Sequence, residues 1–268
     1  TTSFGNLPWR QVFTDPQLQS LIETALAHNT DYLNCVLNVK MVEAQLTMAK
    51  LAFLPSVAFT PQGTISQWDG NKASKIYSLP VSASWTVDLF GNILNVKRST
   101  QMQLLGMKDY QLVVKTKLIT NVANMYYTLL MLDRQLEILN SMSELTQDTW
   151  RIMKLQKELG RANETSVQSA EASHYGVLTN IADMKRQIRE VENSLSLVLG
   201  QPAQTIARGK LADQSLPTEF STGVGIQLLA NRPDVHYAEM ALASCFYDTQ
   251  QARSNFYPQL TISGTGAF

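Results

Sequence analysis

Two cysteines, Cys35 and Cys245, and three histidines, His28, His174 and His236, are the residues of this 268-residue chain best suited to disulfide chemistry, metal binding or proton transfer near neutral pH. Their spacing organises none of these. No two of them stand at the short separations of a zinc site. No paired carboxylates, nucleophile constellation or glycine-rich phosphate loop appears either, so the sequence points away from an enzyme and requires no cofactor. Cys35 lies 4 residues past Asp31, and Cys245 lies 11 past Asp234. If the two aspartates open equivalent helices, the thiols differ by about 10 Å along the axis. A disulfide tolerates Cα separations only up to about 7 Å. Two free, buried thiols are therefore expected.

Chemistry being absent, the elements carry the reading. Lys plus Arg and Asp plus Glu both number 22, so net charge gives no reason to expect nucleic acid as a partner. Charged residues are only 16% of the chain. No apolar run approaches the ~20 residues of a membrane helix. No signal peptide stands at residue 1; an exported protein would begin here after cleavage.

The chain repeats itself at an offset of 203 residues. KLAFLPSVAFTPQG near the start aligns without a gap with RSNFYPQLTISGTG near the end. Leu26 falls on Leu229, Asp31 on Asp234, Phe53 on Phe256, Pro55 on Pro258 and Gly63 on Gly266. The period is far longer than a solenoid unit and indicates a duplicated half-protein, with the chain stopping early in the second copy.

Within one repeat, Asp15 and Pro16 open a short helix to about Ala27, and a second helix is expected over 31–53, ended by Pro55. From 57 to 66 and from 77 to 87 the period becomes two. Val57, Phe59, Ile65, Tyr77, Leu79, Val81, Ala83, Trp85 and Val87 form the apolar set, with Ser and Thr mainly between them. Two strands of about 10 residues suit a transmembrane β-hairpin, and equally an amphipathic hairpin over a soluble core. Trp68 and Tyr77 are either interfacial aromatics or ordinary strand-end packing.

From about 92 to 159 the pattern is helical, with a stripe at Leu118, Val122, Met125, Leu129, Leu132, Leu136 and Leu139. After LGRANET a second helix, about 164–199, carries Val167, Ala170, His174, Val177, Ile181, Met184, Ile188, Val191, Leu195 and Val198. Such seven-residue seams imply supercoiling against a neighbour. The helices would be ~100 Å and ~54 Å long, leaving half of the longer one for helix 31–53 to cover. Two strands leave two unpaired edges, and four are too few for the smallest barrels of about eight. Several chains must therefore join to close the sheet.

These phrases resemble the outer membrane efflux proteins, the TolC-like outer membrane factors of tripartite pumps. DPQLQSLIETALAHNTDY is similar to the family's equatorial opening helix, WTVDLFG to its strand-to-helix junction, and SLSLVLGQP to the end of its return helix. LLANRPDVHYAEMAL with ARSNFYPQLTISG is similar to its second-repeat opening, and Leu216-Pro217 fits the segment ahead of it. The resemblance implies a mainly α fold with a β-hairpin: long antiparallel coiled-coil helices of an α-barrel, plus strands of a trimeric transmembrane β-barrel. The divisions would be 1–30 (equatorial), 31–54 (helix), 55–90 (barrel hairpin), 91–200 (periplasmic helical hairpin), 201–231 (equatorial linker) and 232–268 (second-repeat start).

The resemblance further implies a homotrimeric channel in the outer membrane of a Gram-negative bacterium. Its partners would be outer-membrane lipid, a periplasmic adaptor and, through it, an inner-membrane pump exporting drugs, metals or other solutes. Leu159, Gly160, Arg161, Ala162 and Asn163 resemble the periplasmic tip that meets the adaptor. Arg161 stands where an apolar residue is usual, and Gly160 is a helix-ending glycine in either case. His174 is a tolerated seam residue or a lumen-facing group titrating near pH 6–7. Many relatives carry an acylated N-terminal cysteine; none stands among these residues, and a lipid anchor stays open. The rival reading is a coiled-coil envelope scaffold with no channel.

Overall fold

The structure, a computed structural model, describes residues 8–67, 70, 72–214 and 232–267. Leu216-Pro217, Trp68 and the start of LLANRPDVHYAEMAL lie outside the described residues. The elements in chain order are helices α1 (Trp9–Val12), α2 (Pro16–His28) and α3 (Thr30–Leu51); strands β1 (Ser56–Phe59), β2 (Gln62–Ser66), β3 (Ser74–Ser78) and β4 (Val81–Val87); helices α4 (Asn92–Glu158), α5 (Glu164–Val198) and α6 (Pro233–Ser254); and strand β5 (Leu260–Gly266). The duplication is visible in the backbone: α3 and α6 are both 22 residues long and stand at the 203-residue offset. Among the described residues no helix is long and apolar enough to cross a membrane.

The chain divides into two compact units, Thr1–Asn34 with Val114–Gly225 and Cys35–Val113 with Ile226–Phe268. In the first, Leu18, Ile22 and Ala25 of α2 are fully buried in one cluster with Val122, Tyr126 and Leu129 of α4 and Leu195 and Leu199 of the α5 end. Asp15 caps α2 by accepting the Gln17 N–H at 2.9 Å. Asn29 ends α2 and opens α3: its Oδ1 accepts the Tyr32 N–H at 3.0 Å and its Nδ2 donates to Val198 O at 2.9 Å. The stripe continues toward the tip through half-buried Ser143, Thr146, Trp150 and Met153, of which Thr146 and Trp150 meet His174 of α5.

In the second unit, Val39, Val42 and Leu46 of α3 pack with Leu104 and Met107 of α4. α6 meets α4 through polar and small side chains. Ser99 Oγ lies 3.0 Å from Ser244 Oγ and donates to Asp248 at 2.5 Å, and a Cβ on Gly106 would stand 3.3 Å from Met240. Cys35 is buried and Cys245 exposed, and both are free thiols. The expected burial of Cys245 is thus corrected, because α6 turns a different flank to α4 than α3 does.

Candidate functional site: strand faces and helical tip

The hairpin is one antiparallel ladder, broken in its middle. β1 pairs with β4 through Phe59↔Val81, and β2 pairs with β3 through Gln62↔Ser78, so the register runs on unchanged. The unbroken strands 57–66 and 77–87 expected from alternation are each interrupted, at Thr60-Pro61 and at Leu79-Pro80. Pro61 and Pro80 lack the N–H that the ladder needs there, and only the Thr60 N–H to Pro80 O bond, 3.2 Å, bridges the gap. β3 also begins earlier, at Ser74.

Register decides which side chains share a face. In β1–β4–β5, Val57, Phe59, Val81, Ala83, Trp85, Val87, Leu260 and Ile262 stand on one face. Ile65, Tyr77 and Leu79 continue the same parity across the break. The opposite face carries hydroxyls: Ser56 Oγ lies 2.9 Å from Ser84 Oγ, and Thr86 Oγ1 lies 3.3 Å from Thr261 Oγ1. Among the described residues nothing lies over the apolar face; Val57 and Tyr77 are 70% and 68% exposed, while Val87, next to the helices, is half-buried. The strand order β1-β4-β5 leaves β1 and β5 with one open edge each. A sheet apolar on one side, hydroxylic on the other and open at both edges is built to be extended and covered.

The helical reversal is fixed by backbone geometry. Gly160 has φ +69°, its N–H donates to Lys157 O at 2.9 Å, and the Arg161 N–H donates to Gln156 O at 2.8 Å. This is a Schellman closure, in which the left-handed residue is glycine. Asn163 then caps α5, its Oδ1 accepting from Ser166 N at 2.9 Å and Ser166 Oγ at 2.7 Å. Lys157 pairs with Glu164 across the turn. Leu159 is exposed and Arg161 projects without an ion pair among the described residues; only Ala162 is half-buried. The five tip residues therefore form one short, solvent-facing, well-hydrogen-bonded cap.

His174 is buried in the seam, its Nδ1 3.2 Å from Thr146 Oγ1 and its ring stacked 6.0 Å from Trp150. This contact places it inside the helix pair. Sequence reasoning missed an ion cluster on the segment after α5. Arg208 bonds Asp133 of α4 through two nitrogens and reaches Glu192 of α5 at 2.6 Å, with its side chain 13% exposed and that of Glu192 4% exposed. The hydrogen bonds that Arg208 donates to Asp133, the largest influence, outweigh burial and raise the guanidinium further above its usual value. Nothing local in the sequence marks it, because the three partners are far apart along the chain.

Against known proteins, residues 21–201 match the model of the "Outer membrane efflux protein" family. The chain is 26% identical to the cation efflux system protein CusC of Escherichia coli (strain K12) over 97% of this chain and 58% of that protein. It is 28% identical to the toluene efflux pump outer membrane protein TtgF of Pseudomonas putida (strain DOT-T1E) over 98% of this chain and 56% of that protein. A solved structure of CusC superposes with a TM-score of 0.86 at 25% identity, covering 98% of this chain and 62% of that one. The chain thus spans a little over half the length of these relatives, with the same fold throughout. Two-thirds of its residues fall within the matching family model, and its fold is that of the TolC-like channel structures it superposes on, so the chain belongs to the outer membrane efflux protein family.

Proposed function

We propose that the full-length protein is the outer-membrane channel of a tripartite efflux system. Three copies close the open-edged sheets into a membrane barrel and the long helices into a tube across the periplasm. The tip Leu159–Asn163 meets a periplasmic adaptor, which links the tube to an inner-membrane pump. The protein would sit in the outer membrane of a Gram-negative bacterium, with α4 and α5 in the periplasm.

The observation that carries this reading is the sheet: one face apolar and uncovered, the other hydroxylic, and both edges unpaired. Lipid demands that every backbone group pair within protein, so only closure by further strands serves such a sheet in a membrane. Among the relatives, CusC is named for cation efflux and TtgF for toluene efflux.

Alternating substitutions along β4 test the reading. Val81→Lys places a charge on the apolar face and should cost about 2–4 kcal/mol if that face meets the bilayer interior. Ser82→Lys, one residue on, faces the lumen and should cost far less. A full-length protein that is soluble without detergent, with equal tolerance at both positions, would decide for a non-channel scaffold.

A further inference from the structure

The place where strands meet helices carries a charge pattern that the channel reading leaves unused. It lies within the unit of Cys35–Val113 and Ile226–Phe268. Lys50 and Arg253 are the penultimate residues of α3 and α6 and occupy the same position of the repeat. Lys97 and Arg98 stand in the second turn of α4. None of the four forms an ion pair among the described residues. Seven of the ten arginines do, and the third unpaired one is Arg161 at the tip.

No carboxylate near them in sequence is in ion-pair contact with them. Within ten residues of these cations along the chain the acidic side chains are Glu43, Asp88 and Asp248. Glu43 pairs with Lys108, Asp88 accepts the Leu94 N–H at 2.8 Å, and Asp248 accepts from Ser99.

Aromatic rings accompany the cations. Lys97 Nζ lies 5.8 Å from the Phe53 ring centre, and the Phe53 carbonyl accepts the Trp85 indole N–H at 3.0 Å. Arg98 lies 5.8 Å from the Tyr247 ring centre. Phe90 and Tyr257 stack at 4.7 Å, and the neighbouring Phe256 is 90% exposed. Passing from sheet to helices, the surface runs from apolar face to aromatic ring to unpaired cation. Aromatics settle at the headgroup level of a bilayer, and anionic lipid charge is presented at that level.

We propose that this junction binds the headgroups of anionic phospholipids in the leaflet that meets the helices. The proposal rests on the reading of the strands as membrane strands. A Lys or Arg near an anionic surface strengthens attraction by about fivefold, so a cluster of four gives a clear preference for anionic over zwitterionic lipid. Repetition of Lys50 as Arg253 supplies the cation in both halves of the duplication.

The test uses the full-length protein reconstituted in phosphatidylcholine with a trace of spin-labelled phosphatidylglycerol or spin-labelled phosphatidylcholine. The motionally restricted fraction of each label is read by electron spin resonance. The expected result is a several-fold preference for phosphatidylglycerol that disappears in K50Q/K97Q/R98Q/R253Q and in about 1 M salt, where screening acts within about 3 Å. Equal restriction of both lipids by the native protein overturns the proposal and leaves the cations to an acidic protein partner. A preference that survives in the quadruple variant also overturns it. Restriction of neither lipid sinks the membrane reading itself, which separates the two failures. Should the quadruple variant not insert, K50Q/R253Q, altering two exposed side chains, must lower the preference severalfold.

Discussion

Tyr126 donates its phenolic hydrogen to Asp15 Oδ2 at 2.6 Å, and the phenolic oxygen accepts the Gly209 N–H at 3.2 Å. One fully buried ring thereby ties the cap of α2, the middle of α4 and the segment after α5. Gln214 Nε2 adds a bond to the same carboxylate oxygen at 2.8 Å. Burial alone would raise the Asp15 pKa, but hydrogen bonds from Tyr126, Gln17, Gln214 and Leu18 outweigh it and hold the carboxyl below 3.8. Burial first, then the bond to Asp15, pushes the Tyr126 phenol up to about 12.

These shifts have opposite signs in pH. The depressed Asp15 adds stability above its ordinary value of 3.8 and loses it as pH falls through its folded value. The raised Tyr126 adds stability below pH 10 and loses it as pH climbs from 10 to about 12. Tyr126→Phe should cost about 2 kcal/mol at neutral pH, a hydrogen bond to a charged group, and should remove the alkaline loss in that window. Hydrogen exchange of the α2 amides across pH reads both effects. Unchanged α2 protection in the variant would refute this account.

Arg208 is held in a different manner, by buried charge. Arg208→Met leaves Glu192, 4% exposed, with Arg189 at 3.3 Å as its one ionic partner among the described residues. Removing one member of a buried pair typically costs about 3–5 kcal/mol. Arg208→Met/Glu192→Leu should recover part of that loss. Thermal unfolding of the single and paired variants gives the comparison; a paired variant weaker than the single one contradicts the argument.

The tip and the far end of α5 offer a matched experiment. Gly160 and Gly200 have φ +69° and +67°, and both close a helix in the same Schellman pattern. A Cβ on Gly160 would meet nothing within 4 Å, whereas one on Gly200 would stand 2.7 Å from His28 O. Gly160→Ala should therefore cost only the backbone term of about 1–2 kcal/mol, with Asn costing less. Gly200→Ala should cost clearly more, since backbone must move. Denaturant midpoints that rank the two substitutions equally would be inconsistent with this.

Legibility in the sequence followed the range of the forces involved. Seams such as Leu118–Val122–Leu129 and the duplication of α3 as α6 were readable, because helix burial writes a period into neighbouring residues. The reversal at Gly160 was readable because a left-handed backbone names its own residue. The ladder break at Pro61 and Pro80 was not read, since the side-chain alternation runs straight across it. The seam beyond Leu139 was invisible because Ser143 and Thr146 fill it with hydroxyls. The cluster at Arg208 needed the tertiary structure that brings Asp133 and Glu192 together.

The two repeat helices bury opposite flanks, and that fixes a final prediction. On α3, Val39, Val42, Leu46 and Ala49 are buried. Their repeat counterparts on α6 are Leu242, Cys245, Thr249 and Ala252, all exposed. Conversely, buried Ser244 and Ser254 of α6 correspond to exposed Met41 and Leu51 of α3. Each flank thus finds a long helix in one copy of the repeat and none in the other. In the proposed full-length protein, a second-repeat counterpart of α4 would cover the flank that bears Cys245. This chain alone should then react with a maleimide at Cys245 and not at Cys35, whose thiol is buried and raised in pKa by that burial. The assembled full-length protein should react at neither until it is unfolded. Rapid labelling of Cys245 in the assembled full-length protein would mean that the flank stays open and that ring closure by the second repeat is wrong.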